Sequence, residues 1–179
     1  MQSLPPSDAK LDGRLRLIVS SYQRLTGKVL LGDDSPRPPL TPCPLPEGEG
    51  VSTGLGVRAD VVVAALREAL WNAPRAIVAH GTEDDPIFFY GNRLALQFFE
   101  MSFDEFKRLP SRFSAEPLAR EERAKLLERV TRQGYADNYS GMRIASSGKR
   151  FMIADGTVWN LIDEQGNHQG QAAVFVGQK

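Results

Sequence analysis

A strand–turn–strand–helix pattern across residues 74–101 constrains the fold of this chain more than any other part of its sequence. The segment of residues 76–80 is short and mostly apolar, and residues 81–86 have the composition of a turn. The apolar and aromatic residues 87–90 then lead almost directly into Asn92, a residue type that favours the start of a helix. Two adjacent strands that run into a helix are typical of small α+β domains.

The charge balance and the cysteine content narrow the classes of function. The 179 residues include 22 acidic and 22 basic side chains, so the formal net charge is zero, whereas a nucleic-acid-binding surface needs a basic face. The single cysteine, Cys43, excludes an intramolecular disulfide and indicates a reducing compartment. No window approaches the roughly 20 apolar residues of a membrane span. We therefore expect a cytoplasmic protein with neither nucleic acid nor membrane as its partner.

An amphipathic helix is predicted within residues 1–32. Its apolar residues recur at helical spacing, and Gly27 stands where a left-handed C-cap would end it. An isolated helix of this length is marginal in water, so the stripe needs a partner, either its own domain or a second copy of the chain. We expect a homodimer or a partner protein. The stripe consists of Leu15, Ile18, Val19, Tyr22 and Leu25.

Residues 33–56 have a composition that neither a helix interior nor a central strand accepts. Six prolines fall within eleven residues and four glycines follow them. We predict a linker or a mobile insertion between the N-terminal segment, residues 1–32, and a domain at residues 57–179 with its core at 71–176. Cys43 lies in this linker with no base nearby in sequence, so we expect no catalytic or redox role for it.

Four further helices are predicted from periodicity and capping signals. Strong helix formers fill residues 59–71, and Asn92 caps a helix over residues 94–101. Ser102 and Glu105 have the spacing of a capping box, which starts another helix at once. A longer helix covers residues 117–133 and ends at Gly134.

Arg123 lies in the middle of the apolar stripe of this long helix. Burial of an unpaired guanidinium costs several kcal/mol, so Arg123 must reach solvent, pair with a carboxylate such as Glu116, or contact a ligand anion. The sequence leaves these three alternatives open.

The last third of the chain has the pattern of an antiparallel meander. Three strands are predicted at residues 137–145, 150–162 and 169–176, and Asp155 with Gly156 indicates a bulge in the middle one. Together with the two early strands they form one five-stranded antiparallel sheet with helices on one face. We expect the terminal strand to lie beside the first.

The order of these elements resembles the PAS fold, and the residues themselves resemble the MEKHLA domain, a PAS-like family, in its bacterial stand-alone form. The resemblance covers residues 71–176. The N-terminal helix is also similar to that of the bacterial members, whereas the proline-rich insertion is not. The segments that carry it are AIVAHGTEDDPIFFYGN (76–92), ALQFFEMSFDEF (95–106), LPSRFSAEP (109–117), DNYSGMRI (137–144), GKRFMI (148–153), VWNLIDEQG (158–166) and GQAAVF (170–175).

The resemblance implies a sensory or regulatory module that binds a small molecule non-covalently and signals through protein–protein contacts. A pure interaction or dimerisation domain with a filled core is the alternative. The cofactor is unknown. Covalent flavin chemistry is disfavoured because residues 109–116 lack cysteine, and haem is disfavoured because residues 117–133 lack histidine, cysteine and methionine.

Aromatic and cationic side chains are the best candidates for a ligand cavity. Tyr139 and Arg143 share one face of their strand, and Ala173 and Phe175 share one face of theirs. The sequence does not decide which face of the sheet looks inward. The candidate ligand-binding residues are His80, Tyr90, Phe98, Arg123, Tyr139, Arg143, Trp159 and Phe175.

An enzyme is the third interpretation. His80 could act as a base oriented by Glu83, Asp84 or Asp85, with Ser111 or Ser114 as nucleophile, but no glycine-framed nucleophile elbow surrounds either serine. Two histidines are too few to build a metal site alone. We therefore expect neither catalysis nor a metal.

Overall fold

The computed structural model describes residue 4, residues 8–32, residues 59–116 and residues 120–178. The α-helices are α1 (Ala9–Thr26), α2 (Ala59–Trp71), α3 (Arg93–Phe99), α4 (Phe103–Phe106) and α5 (Arg120–Gln133), and a 3-10 helix covers Ser111–Ser114. The strands are β1 (Ala76–His80), β2 (Phe88–Gly91), β3 (Tyr135–Ile144), β4 (Arg150–Ile162) and β5 (His168–Gln178). The predicted linker 33–56 with Cys43 lies outside these residues, and so do residues 117–119. None of the helices in the described ranges has the length and apolar character to span a membrane.

The strands form one antiparallel sheet in the order β2-β1-β5-β4-β3, which confirms the predicted fold class. The last strand, β5, lies beside the first, as the sequence predicted, and Ile77 faces Val174 across that pair. The predicted bulge is also present. The pairing of β4 with β5 shifts between Ala154 and Thr157, where Asp155 has a positive φ of 48°.

Local capping signals determine where the helices between β2 and β3 begin and end. The Asn92 side chain accepts a hydrogen bond from the Ala95 amide at 3.0 Å, and Ser102 and Glu105 form the predicted capping box. Helix α3 ends at Phe99, two residues before the predicted end, because Glu100 takes the left-handed conformation with φ 55°. Gly134 ends α5 with φ 92°, as expected.

The two faces of the sheet bury different helices. Successive side chains of a strand point to opposite faces, and in β5 this separates Ala172 and Val174 from Phe175. The face that includes Ala172 and Val174, here called the outer face, packs against α1. The face that includes Phe175, the inner face, packs against α3 and α4, and α5 covers its β3–β4 side.

Helix α1 docks on the outer face of its own sheet, which was one of the two alternatives that the sequence left open. Tyr22 meets Trp159 edge-to-face, with ring centroids 4.8 Å apart. The Ser21 hydroxyl donates to the Ile162 carbonyl at 3.2 Å and accepts from the Ile162 amide at 3.0 Å. The apolar stripe of α1 is therefore covered within the chain, with Leu15, Ile18 and Tyr22 at most 2% exposed.

We expect Ser21→Ala to lower the free energy of unfolding by about 1–3 kcal/mol, because it removes both part-buried hydrogen bonds between the Ser21 hydroxyl and Ile162. Ser20→Ala is the matched control. Its exposed hydroxyl bonds only to Leu17 within the same helix, so the change should stay within about 0.5 kcal/mol. Urea unfolding of the full chain measures both, and equal effects would contradict the docking of α1.

Candidate functional site

A cavity lies between the inner face of the sheet and α5. Its volume is about 40 Å³. A space of this size admits several waters or a molecule of a few non-hydrogen atoms. Its apolar wall includes Val78, Phe88, Phe99, Ile153, Val158 and Phe175.

The polar part of the wall comes from three strands, α5 and the 3-10 helix. Strand alternation brings His80 of β1, Gln171 of β5 and the pair Tyr139 and Arg143 of β3 to the same inner face, and α5 contributes Arg123. Five of the eight predicted ligand residues thus line one cavity. The polar lining residues are His80, Ser114, Arg123, Tyr139, Arg143 and Gln171.

Arg143 is a buried cation whose hydrogen bonds go to neutral oxygens. Its side chain is 6% exposed, and its guanidinium donates to the Met142 carbonyl at 2.8 Å and to the Tyr139 hydroxyl at 2.9 Å. The guanidinium carbon also lies 5.4 Å from the centre of the Tyr139 ring. Among the described residues no carboxylate forms an ion pair with it.

The predicted alternative of an ion pair between Arg123 and Glu116 is wrong. Glu116 instead binds Arg150 of β4, with Nε and Oε1 2.6 Å apart. Within the part of the chain that the structure describes, the Arg123 side chain has neither an ion pair nor a hydrogen bond. Arg123 as a whole is partly exposed. Desolvation, and then the neighbouring Arg143 cation, nevertheless lower the pKa of its guanidinium to about 10.

His80 lines the cavity and carries a buried hydrogen-bond acceptor that has no partner among the described residues. Its Nδ1 lies 2.9 Å from the Gly81 carbonyl oxygen, which can only accept, so Nδ1 carries the proton. Nε2 then holds a lone pair, is buried, and has no hydrogen-bond partner among the described residues. Burial, and to a smaller extent the Arg123 cation, lower the pKa of His80 to about 4, so the ring is neutral at pH 7.

The catalytic pairing considered from the sequence is not assembled. The partner of His80 Nδ1 is a backbone carbonyl rather than Glu83, Asp84 or Asp85. Asp85 pairs with Arg112 at 3.2 Å. Ser114 does line the cavity, but its hydroxyl donates to the Ser111 carbonyl at 2.7 Å.

Three predicted ligand residues lie away from the cavity. Tyr90 and Trp159 belong to the outer face, because their strand partners Ala79 and Ala172 face that way. Phe98 stacks on Phe151 with centroids 5.4 Å apart and does not line the cavity.

Sequence analysis missed one polar residue of the lining, Gln171, and considered a second, Ser114, only as a nucleophile. Gln171 precedes Ala173 and Phe175 by two and four residues, so strand alternation could have identified it. Its amide donates to the Leu127 carbonyl at 3.0 Å and to Asn160 Oδ1 at 3.1 Å, which ties β5 to α5 and β4. The sequence around Ser114 carries no comparable signal.

A metal centre is not built into the described residues. No group of three or more histidine, cysteine, aspartate or glutamate side chains in these ranges is placed to hold an ion. The charged groups that line the cavity are instead two arginines, beside a neutral imidazole and three neutral polar side chains, and this set is suited to an anion rather than to a metal.

One protein-family model matches most of the chain. The model of the MEKHLA domain matches residues 55–178. No curated protein sequence matches the chain.

Solved structures share the fold at low sequence identity. A PAS domain from Colwellia psychrerythraea superposes with a TM-score of 0.57 at 14% identity, over 65% of this chain and 97% of its own. A PAS domain from a two-component sensor histidine kinase gives a TM-score of 0.56 at 13% identity, over 68% and 100%. A light-oxygen-voltage domain studied with a flavin analogue gives 0.51 at 21% identity, over 64% and 85%. The likeness is one of fold, and it confirms the predicted PAS-like architecture.

We expect His80 to make the protein less stable as the pH falls. Because the folded-state pKa of His80 is about 4, below the ordinary value of 6.5, the unfolded chain binds more protons between these two values. The free energy of unfolding should therefore fall progressively from pH 6.5 towards pH 4, by about 3 kcal/mol in all.

Urea unfolding at a series of pH values measures this slope. His80→Gln should remove the histidine part of the dependence, whereas His168→Gln, at an exposed position, should leave most of it in place. If the two variants keep the same slope as the natural sequence, His80 is not neutral and buried in solution.

Proposed function

The chain belongs to the MEKHLA domain family, and from this membership and the PAS-like fold we propose that it is a sensory or regulatory module. In this proposal it binds a small molecule non-covalently in the inner cavity and passes the signal on through contacts with another protein chain. The observation that carries the proposal is a cavity with two arginines and one buried imidazole acceptor in its wall, none of them neutralised by a carboxylate of the described residues. Buried polar groups without partners are costly, so they indicate a site for a ligand.

We propose neither a covalent flavin nor a haem for this cavity. A free volume of about 40 Å³ leaves no room for groups of that size, and none of the lining residues is a cysteine. An enzymatic role finds no support in the geometry, because the carboxylates near His80 do not orient its ring.

A pure interaction or dimerisation domain remains the second candidate, because the same small volume is close to that of a filled core. The discriminating question is whether a small molecule enters the cavity at all.

Enlarging a cavity residue should separate the two candidates. Ala173→Val fills the space between β5 and α5, so we expect it to weaken binding of any cavity ligand by about tenfold or more, with at most about 1–3 kcal/mol of overpacking cost. A ligand at about 100 times its Kd should raise the free energy of unfolding by about 2.7 kcal/mol. Native mass spectrometry and thermal shifts against a library of small metabolites measure both.

Val176→Ile, an exposed position on the same strand, is the control and should behave as the natural sequence. If no compound in the library binds the natural sequence, and Ala173→Val only destabilises the protein as in an overpacked core, the filled-core interpretation is correct and the sensory proposal fails.

We also propose a homodimer as the assembly that transmits the signal. The α1 stripe is buried within the chain, so the proposed interface relies on other apolar side chains, among which Val61 and Val62 of α2 are 55% and 51% exposed. Sedimentation of the full chain at tens of micromolar should show a dimer. Val62→Glu should weaken it by about tenfold because the dimer would bury an unpaired charge. Val176→Glu, on the sheet, should not, and a monomer at these concentrations would contradict the proposal.

A further inference from the structure

The inner cavity has an excess of hydrogen-bond donors on its cationic side. A guanidinium offers five N–H donors. Arg143 uses two of its N–H groups on Met142 and Tyr139, and the Arg123 guanidinium has no hydrogen bond among the described residues. About eight N–H donors thus remain for a ligand, while a carboxylate accepts at about four positions.

The charge of the residues that line the cavity also favours an anionic ligand. Desolvation, and then the Arg143 cation, lower the pKa of Arg123, and the lining residues include no aspartate or glutamate. The pKa of Arg123, about 10, still leaves the side chain charged at pH 7. An anion between the two guanidinium groups would relieve their repulsion and accept bidentate hydrogen bonds.

His80 adds a requirement that a bare anion does not meet. Its Nε2 is an acceptor, because the Gly81 carbonyl holds the proton on Nδ1. A carboxylate oxygen next to this lone pair would place two hydrogen-bond acceptors side by side with no proton between them. The group that satisfies it must be an O–H or N–H donor.

We infer that the cavity binds a short carboxylate that also bears a hydroxyl group, with the carboxylate on Arg123 and Arg143 and the hydroxyl donating to His80 Nε2. The ligand is small, since a cavity of about 40 Å³ admits a molecule of only a few non-hydrogen atoms. This inference rests on the proposed ligand-binding function and specifies its ligand class.

Three probes of nearly equal size test both halves of the inference on the full chain. Glycolate carries the carboxylate and the hydroxyl, acetate lacks the hydroxyl, and glycolamide replaces the carboxylate by a neutral amide. We expect glycolate to bind at pH 7, acetate to bind at least about tenfold more weakly because Nε2 stays unpaired, and glycolamide not to bind measurably. Calorimetry or thermal shifts give the affinities.

The location of binding can be observed directly at the imidazole. The sequence contains two histidines, His80 and His168, so the ring-proton spectrum has two imidazoles to assign. Glycolate should shift the His80 resonances and leave those of His168 in place. Equal shifts of both, or a shift of His168 alone, would overturn the assignment of the site.

A pair of variants on α5 separates charge from packing. Arg123→Met should abolish glycolate binding and raise the melting temperature of the ligand-free protein, because it removes a desolvated cation that has no partner. Arg129→Met, on the exposed side of the same helix, should change neither. Arg123→Lys keeps the charge and should retain part of the affinity, which guards against a loss caused by misfolding.

The outcomes distinguish this inference from the proposed function. Acetate binding as tightly as glycolate, glycolamide binding equally well, or unchanged glycolate affinity in Arg123→Met would each overturn the inference. If all three probes fail while a neutral compound of the metabolite library binds in a manner sensitive to Ala173→Val, the ligand class is wrong and the sensory function stands. If no compound binds, both are wrong.

Discussion

The side chain of Asn92 is the interaction on which the rest of the domain depends. It is fully buried, and its oxygen accepts from the amides of Ile77 and Ala95, both at 3.0 Å. Its nitrogen donates to the carbonyls of Arg75 at 2.8 Å and Leu70 at 3.3 Å. Both acceptor positions and both donors of the amide are therefore used, and one side chain fixes the end of α2, the start of β1 and the start of α3. Strand β1 forms part of the wall of the inner cavity, so this junction also fixes the position of that wall.

The polar residues of the inner cavity make the fold less stable than an apolar core would. Its apolar residues pack as a core would, yet two guanidinium groups and a neutral imidazole stand among them without a carboxylate of the described residues to balance them. A core selected for stability alone would replace such groups by apolar residues of similar volume. Three such side chains from three different elements therefore meet in one small space at a cost to stability, which is the reason for proposing a ligand there.

The sequence predicted the helices and strands of this fold better than the contacts between them. Asn92, the Ser102 capping box and Gly134 act within one turn of chain, so their consequences could be derived from neighbouring residues. The faces of the sheet could not be assigned, because β5 is apolar on both sides and the choice depends on where α1 and α5 dock. The Arg123–Glu116 pair, one of the three alternatives that the sequence left open, does not form for the same reason: Arg123 is nearer in sequence, but the meander brings Arg150 to Glu116.

The central position of β5 also determines how the sheet can assemble during synthesis. β1 pairs with β2, and β3 with β4, but only β5 joins these two halves. Until it emerges, a growing chain carries two separate hairpins, and β1 and β4 each leave one edge of backbone donors and acceptors unpaired. Such edges are templates for pairing with other chains. Loss of β5 would therefore divide the sheet instead of shortening it, and the incomplete chain would be exposed to aggregation for as long as its final strand is missing.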